Sequence, residues 1–376
     1  MKKRILDHLV CPACGGKLGL ESFAEKNTEI KDGLLKCACG QWFPIINFVP
    51  RLLLSDYRGN YSGFLKKYGL KHLEETRPGK SNTDSPITQV QKSFGSKWMS
   101  QPSWGTTGET KAFMREWILK KYGWEDEKNF NKSLGKRKRI LDAGAGLGRE
   151  MLDFCTVCKK GEVFGVDLSE AVEAAYQNTQ VYSNAHMIQG DLMKLPFKKR
   201  MFDFIFCEGV LHHTSDTINA FQVLLDYLNP NGEIAVYIYK KKGPIREFCD
   251  NTMRQFSTKL SDQECWEFSR KITKFGKALS DLKIEFEIPE DIPILEMKAG
   301  KYNLQRFFYY YVFKCFWNDG FSFDENNLIN FDWYHPAYAW RHTSDELRSL
   351  CVKNDLDIIW WFEEESGITF RCRKKL

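Results

Sequence analysis

The sequence predicts an α/β protein built on a doubly wound parallel sheet, and three observations predict it. First, Ile140 and Leu141 end a short apolar run. Asp142 then opens a turn with Gly144, Gly146 and Gly148 at every second position, and Arg149 to Phe154 has helical character. A strand, a glycine turn and a helix bring bare backbone and free N–H groups up to a ligand. Second, Val163-Phe-Gly-Val-Asp167 is an apolar, β-branched run that ends in an acid. A carboxylate at the carboxyl end of a strand can accept both hydroxyls of a ribose. Third, Phe202 to Glu208 and Leu228 to Tyr239 read as further buried strands, the second entered through an Asn-Pro-Asn-Gly turn.

The remaining elements follow in chain order. Cys11-Pro-Ala-Cys14-Gly-Gly and Cys37-Ala-Cys39-Gly are paired thiols on glycine-bearing knuckles. They suit a tetrahedral Cys₄ zinc site with a structural role, since no ligand position is left open. Residues 1–55 are expected to form this module, and 56–86, with Arg77-Pro-Gly-Lys-Ser-Asn-Thr-Asp-Ser-Pro86, a linker. Val90 to Trp98 and Thr110 to Tyr122 read as helices before the first strand of the sheet, with Phe94 and Trp98 available to cover a ligand. The catalytic domain is expected over 87–376, with its core at 135–240. A helical insertion follows over about 243–328, with helices through 248–282 and over 301–317. Residues 329–376 supply a polar and aromatic segment, a helix opened by Thr343-Ser-Asp-Glu346, and a closing antiparallel hairpin.

The spacing Asp142-x-Gly144-x-Gly146-x-Gly148 is neither a dinucleotide fingerprint, because Arg149 stands where that pattern needs glycine or alanine, nor a phosphate loop. It resembles motif I of class I S-adenosylmethionine-dependent methyltransferases. Asp167, and Met187-Ile-Gln-Gly-Asp191-Leu192, resemble the acids and following residues that such enzymes set against ribose and adenine. The resemblance implies a Rossmann-like, seven-stranded sheet, a lid formed by the helical insertion, and a cofactor site made of Asp142, Gly144, Ala145, Gly146, Gly148, Asp167, Leu168, Asp191, Leu192 and Glu208. Leu211-His212-His213 is a sequence common in small-molecule members, including the ubiquinone and menaquinone type. The start of the chain, with its cysteines, Trp42-Phe-Pro-Ile45 and Phe48-Val-Pro-Arg51, resembles the small zinc-ribbon proteins that activate tRNA methyltransferases. The implied cofactors are S-adenosylmethionine and a structural zinc held by Cys11, Cys14, Cys37 and Cys39.

His213 and His212 are candidate general bases, because an imidazole past the fourth strand sits where the pocket forms. The segment Asn330 to Thr343 supplies His335 as a third candidate, with Asp332, Tyr334, His335 and Arg341 as candidate substrate contacts. The net charge of +6 is too mild to argue for nucleic acid, and the basic runs at 136–139, 198–200 and 240–242 are separate. No apolar run approaches a membrane span or a secretory leader, so a cytoplasmic, thiol-reducing setting is expected. Cys155-x-x-Cys158 reads as helix packing. The expected activity is methyl transfer to O, N or C of a polar small molecule such as a sugar, nucleotide-sugar, glycan or natural-product precursor. RNA methylation with the ribbon as a grip is the alternative, and a partner-docking module that only senses cofactor is a second. The Asn/Asp-Pro-Pro-Tyr/Phe motif of base-amine methylation is absent, with Cys207-Glu208-Gly209-Val210 in its place.

Overall fold

The computed structural model describes residues 1–54, 59–75 and 85–375. Residues 56–58 and 76–84 of the expected linker lie outside them. In chain order the strands are β1 (Leu18–Lys26), β2 (Glu29–Cys37), β3 (Trp42–Ile46), β4 (Val49–Leu52), β5 (Arg139–Ala143), β6 (Glu162–Asp167), β7 (Ala185–Gly190), β8 (Phe202–Glu208), β9 (Leu228–Tyr239), β10 (Glu285–Ile288), β11 (Gly300–Asn303), β12 (Leu356–Glu363) and β13 (Gly367–Lys374). The helices are α1 (Ser62–Lys67), α2 (His72–Glu75), α3 (Pro86–Ser100), α4 (Gly108–Lys121), α5 (Glu127–Leu134), α6 (Arg149–Val157), α7 (Val172–Thr179), α8 (Thr217–Tyr227), α9 (Pro244–Ser257), α10 (Asp262–Asp281), α11 (Leu304–Phe307), α12 (Phe323–Tyr334) and α13 (Ser344–Lys353).

Seven strands run β7-β6-β5-β8-β9-β13-β12, the first five parallel, β13 antiparallel to β9 and β12 antiparallel to β13. The seven-stranded core is therefore as expected, and the order reverses between β5 and β8. Side chains alternate between two cores. Leu141, Phe164, Val166, Ile205, Cys207, Val236 and Ile238 pack against α8 and α13. Ile140, Val163, Phe204, Phe206 and Ala235 pack against α4 to α7 on the other face. Sheets covered on both faces need such continuous apolar strands.

The N-terminal module joins the sheet directly. β4 pairs in parallel with β7, Arg51 opposite Gln189 and Leu52 opposite Gly190, so the ribbon's strands extend the sheet to eleven. Met1, Ile5, Phe43 and Ile45 join the same apolar core as β5 to β9. Buried Arg51 donates to Gln189 Oε1 at 3.1 Å and pairs with Glu173 of α7. Phe48 stacks on Tyr176 at 5.1 Å. Part of the expected linker is also ordered: Tyr61, Leu65 and Leu70 pack with Leu34 and Trp42 on the ribbon. Covering β7 this way protects what would otherwise be an open sheet edge.

Helix starts follow the sequence. Ser85 caps α3 ahead of Pro86, and Ser261, Ser322 and Thr343 each form a capping box with the glutamate three residues on. The insertion departs from expectation over 301–317. Only α11 and a following π turn at Phe308–Val312 are helical, β10 and β11 form a hairpin, and 313–317 has no regular helix. Side chains of neighbouring elements take over its backbone bonds. Asp250 accepts from Lys314 N, Asn330 bonds both the N–H and C=O of Phe316, and Gln305 donates to Cys315 O. Buried backbone must be satisfied, and here tertiary partners do it at the helix's expense.

Because the ribbon and the sheet share one core, we expect a single calorimetric unfolding transition for the full chain, lowered as a whole by zinc chelation. Two separable transitions, only one of them chelator-sensitive, would contradict the shared core.

Candidate active site

A cavity of about 640 Å³ lies across the carboxyl ends of β5 to β8 and under the insertion. Its floor comes from the glycine turn. Gly144 N and Ala145 N both donate to Val166 O, which folds the turn back over β6. Gly144 has φ +85°, and a Cβ there would lie 2.3 Å from Val210. At Gly146, φ +50°, a Cβ would lie 3.2 Å from the Trp98 ring that closes over it. Gly148, φ +72°, is the N-cap of α6; it shapes the turn, and its neighbours Leu147 and Arg149 line the cavity rather than Gly148 itself.

Four acids end four neighbouring strands, and all line the cavity. Asp142 is buried, its Oδ2 finds no hydrogen-bond partner among the described residues, and burial with nearby Glu150 drives its carboxyl well above the usual range. Asp167 is held by Ser169 N and Oγ at 2.8 and 2.6 Å and by Gly146 N at 2.8 Å. Burial outweighs those bonds and raises its pKa. Asp191 accepts from Met193 N at 2.9 Å. Glu208 accepts from Lys121 Nζ at 2.9 Å and from Tyr122 Oη. Lys121 in turn is sandwiched between Trp117 and Tyr237, a largely buried ion pair with cation–π support. Leu168 and Leu192 supply apolar walls.

His213, Asp332, Lys97 and Tyr239 form a second polar group on the same cavity. His213 Nδ1 lies 2.6 Å from the Tyr338 carbonyl, so Nδ1 carries the proton and Nε2 keeps its lone pair. Nε2 is buried without a partner, and burial pulls the ring down to about 4, which leaves it neutral near pH 7. Asp332 faces Lys97 Nζ at 3.1 Å and Tyr239 Oη at 3.5 Å, while its Oδ1 has no partner. Burial pushes the Asp332 carboxyl up, but Lys97 and His213 outweigh it and hold it low. Lys97 projects from α3 over the Trp98 ring at 4.1 Å.

The other candidates fall elsewhere. His212 stacks on Tyr239 with ring centroids 3.6 Å apart and accepts from Tyr239 N; it faces the sheet, not the cavity. His335 is consumed by Ser93 Oγ and Leu260 O, where α3 meets the α9–α10 corner. Tyr334 is wholly buried and donates to Lys314 O at 2.6 Å. Arg341 pairs with Glu247 at 2.9 Å outside the cavity. None of these four lines the cavity. Lys97, Tyr239, Arg306 and Lys314 went unrecognised as cavity residues. Nothing local marks them; Lys314 sits in an aromatic run, and only the cavity gives it a role.

In the ribbon, Cys11, Cys14, Cys37 and Cys39 bring their Sγ atoms within 4.8 Å of one another. Cys11 and Cys39 are 3.7 Å apart, and Cys14 and Cys37 3.5 Å. Tetrahedral zinc with Zn–S near ~2.3 Å requires S···S of about 3.8 Å, so the four thiols fit that ion. All four positions are protein sulfur, which makes the site structural. The one-residue spacing of Cys37 and Cys39 does not prevent closure.

Two substitutions test the cradle. Asp167→Ala is expected to weaken S-adenosylhomocysteine binding by at least ~10-fold in calorimetry, and Gly144→Val to abolish it through the clash with Val210. Unchanged affinity in both would remove the strand ends from the cofactor site.

Comparison with known proteins agrees with this architecture. Residues 134–281 match the family described as methyltransferase domain, and residues 2–47 match that of Trm112p-like proteins. Demethylmenaquinone methyltransferases of Staphylococcus aureus strains MRSA252 and JH9 are 30% identical over 112 residues, covering 26% of this chain and 46% of theirs. The chain thus spans about half the length of these curated relatives. Among solved structures it is similar to a SAM dependent methyltransferase from Aquifex aeolicus (14% identity, 77% of this chain and 98% of that one, TM-score 0.37). It is also similar to magnesium protoporphyrin IX methyltransferase from Synechocystis PCC 6803 with bound SAH (12% identity, 77% and 100% covered, TM-score 0.43). Residues 134–281, which hold β5 to β9 and the glycine turn, thus carry a methyltransferase domain, and residues 2–47, with the four cysteines, a Trm112p-like module.

Proposed function

We propose that the enzyme methylates a polar small molecule held beneath the insertion, with His213 as the general base. The observation that carries this reading is the roofed cavity itself, which joins the strand-end acids to the His213–Asp332–Lys97 group in one space. A volume near 640 Å³ accommodates a cofactor with a small acceptor beside it, and falls in the range of small-molecule sites.

In this reading Asp167 and Asp191, with Leu168 and Leu192, would hold the ribose and adenine of S-adenosylmethionine. Gly144, Ala145 and Gly146, with Asp142, would hold its amino-acid end, and the unpartnered Asp142 Oδ2 is a ready acceptor for an ammonium. The bound cofactor supplies a methyl carried on a sulfonium, already activated for displacement. The chain's own residues then align the acceptor and take its proton. His213 Nε2 accepts that proton, and the ring becomes an imidazolium. The Tyr338 carbonyl fixes the tautomer, and the Asp332 carboxylate stabilises the charge that develops. Lys97 and Tyr239 keep Asp332 ionised and oriented. Phe94, edge-on to His213 with centroids 4.9 Å apart, restricts water at the reacting end.

His213→Gln should therefore lower turnover by roughly 10²- to 10⁴-fold while S-adenosylhomocysteine affinity stays near normal. The base works as the neutral ring, so the rate should be flat above about pH 5 and fall as pH drops through about 4. The assay supplies methyl-labelled S-adenosylmethionine with source-cell extract split into desalted small molecules and nucleic acid. Label confined to the small-molecule fraction is expected. Label in nuclease-sensitive polymer would instead favour an RNA acceptor, and unaltered turnover in His213→Gln would remove the base.

A further inference from the structure

Five cations lie in or beside the cavity, and they divide into two kinds. Lys97 is paired with Asp332, Arg149 with Glu150, and Lys121 with Glu208. Lys314 and Arg306 also line the cavity, yet among the described residues neither has a carboxylate within salt-bridge distance. The polar contact of Lys314 Nζ is Tyr309 Oη, at the limiting distance of 3.5 Å. Both cations lie over the same two rings. Lys314 Nζ is 5.2 Å from the Tyr309 centroid and 5.8 Å from that of Phe316, and the Arg306 guanidinium carbon 5.7 and 5.6 Å. Lys314 is only 7% exposed. A buried ammonium with no counter-charge is costly, and such groups persist where a ligand completes them.

The surrounding acids do not complete it. Asp250 is taken by Arg246 Nε and by the Lys314 backbone N–H, and Arg246 leaves its own Nη1 unpartnered. Asp332 meets Lys97 through Oδ2, and among the described residues neither of its oxygens comes within salt-bridge distance of Lys314. Glu364, on the turn between β12 and β13, accepts from Ser366 Oγ at 2.6 Å. Around the two cations stand Tyr309, Tyr310, Phe316 and Phe321, aromatic faces that suit a planar or apolar body.

Resting on the small-molecule reading above, we propose that the acceptor carries an oxyanion, a carboxylate or a phosphate, which Lys314 and Arg306 bind at the insertion end of the cavity while an aromatic or apolar body lies against Tyr309, Tyr310 and Phe316. The reacting nucleophile of that acceptor then faces His213, which lines the same space. The insertion is thus the specificity element: it contributes both cations and the rings. Burial, with Arg246 nearby, pulls the Lys314 ammonium down to about 8, so oxyanion preference should fade as pH rises through that value.

The test measures binding to the full-length protein by calorimetry, with and without saturating S-adenosylhomocysteine. The probes are phenyl phosphate, benzoate, phenol and benzylamine. At pH 7 phenyl phosphate or benzoate should bind at least ~10-fold tighter than phenol, and whichever leads tells phosphate from carboxylate. Lys314→Met, which keeps the side chain's length, should erase most of that preference. Arg306→Leu, at a less buried position, should reduce it in the same direction if the first variant folds poorly. Equal binding of anions and phenol, tighter binding of benzylamine, or a preference that survives both substitutions would overturn the subsite. Failure of S-adenosylhomocysteine to bind would instead sink the cofactor assignment, and the probe series without it would still decide the oxyanion question.

Discussion

Asp142, Asp167, Asp191 and Glu208 stand at the ends of four adjacent parallel strands, and that alignment is the constraint from which the rest of the site follows. Parallel strands place all their carboxyl ends on one edge, and the reversal of order between β5 and β8 opens a crevice there. The glycine turn can cross the crevice only because Gly144 leaves room for Val210 and Gly146 for Trp98. Desolvation then does the electrical work. Buried Asp142 and Asp167 are poised above their ordinary values, while Glu208 is matched by a lysine held between two aromatic rings.

The same sheet explains why a cysteine module belongs to this enzyme. Four strands of the ribbon continue the sheet beyond β7, and Phe43 and Ile45 enter the core that supports β5 and β6. Each such side chain contributes roughly 1.5–3 kcal/mol by leaving water. A metal that orders the knuckles would therefore stabilise the sheet edge as well as its own loop. Arg51 couples the two parts directly, from β4 to α7, and so ties the ribbon to a helix that follows Asp167.

The insertion is built on a different logic. Its interior carries Asn326, Asn327 and Asn330 fully buried, with Asn326 and Asn330 satisfying the irregular backbone between Trp317 and Phe321 and around Phe316. A buried polar group that is fully satisfied specifies one arrangement. That arrangement breaks the helix before Lys314 and turns its ammonium inward. Arg254 secures the other side by donating to the carbonyls of Trp333, Pro336 and Ala337, which holds α12 and the following loop against α9.

The sequence by itself determined the strand–glycine–helix unit, the acids at 142, 167, 191 and 208, the four cysteines, the closing hairpin and the capping box at Thr343. Each is local: a turn, a cap or an alternation of two residues is written into neighbouring positions. Among the dense polar segment from Asn330 to Thr343, only the tertiary structure separated Asp332, which reaches the cavity, from Tyr334, His335 and Arg341, which join helices. Likewise His213 and His212 are adjacent, yet one ring meets the cavity and the other lies flat on Tyr239. The union of ribbon and sheet, the broken helix at Lys314 and the pairing of Lys97 with Asp332 all join residues far apart in the chain. Such contacts depend on which surfaces meet once the core has formed, and no local pattern encodes that meeting.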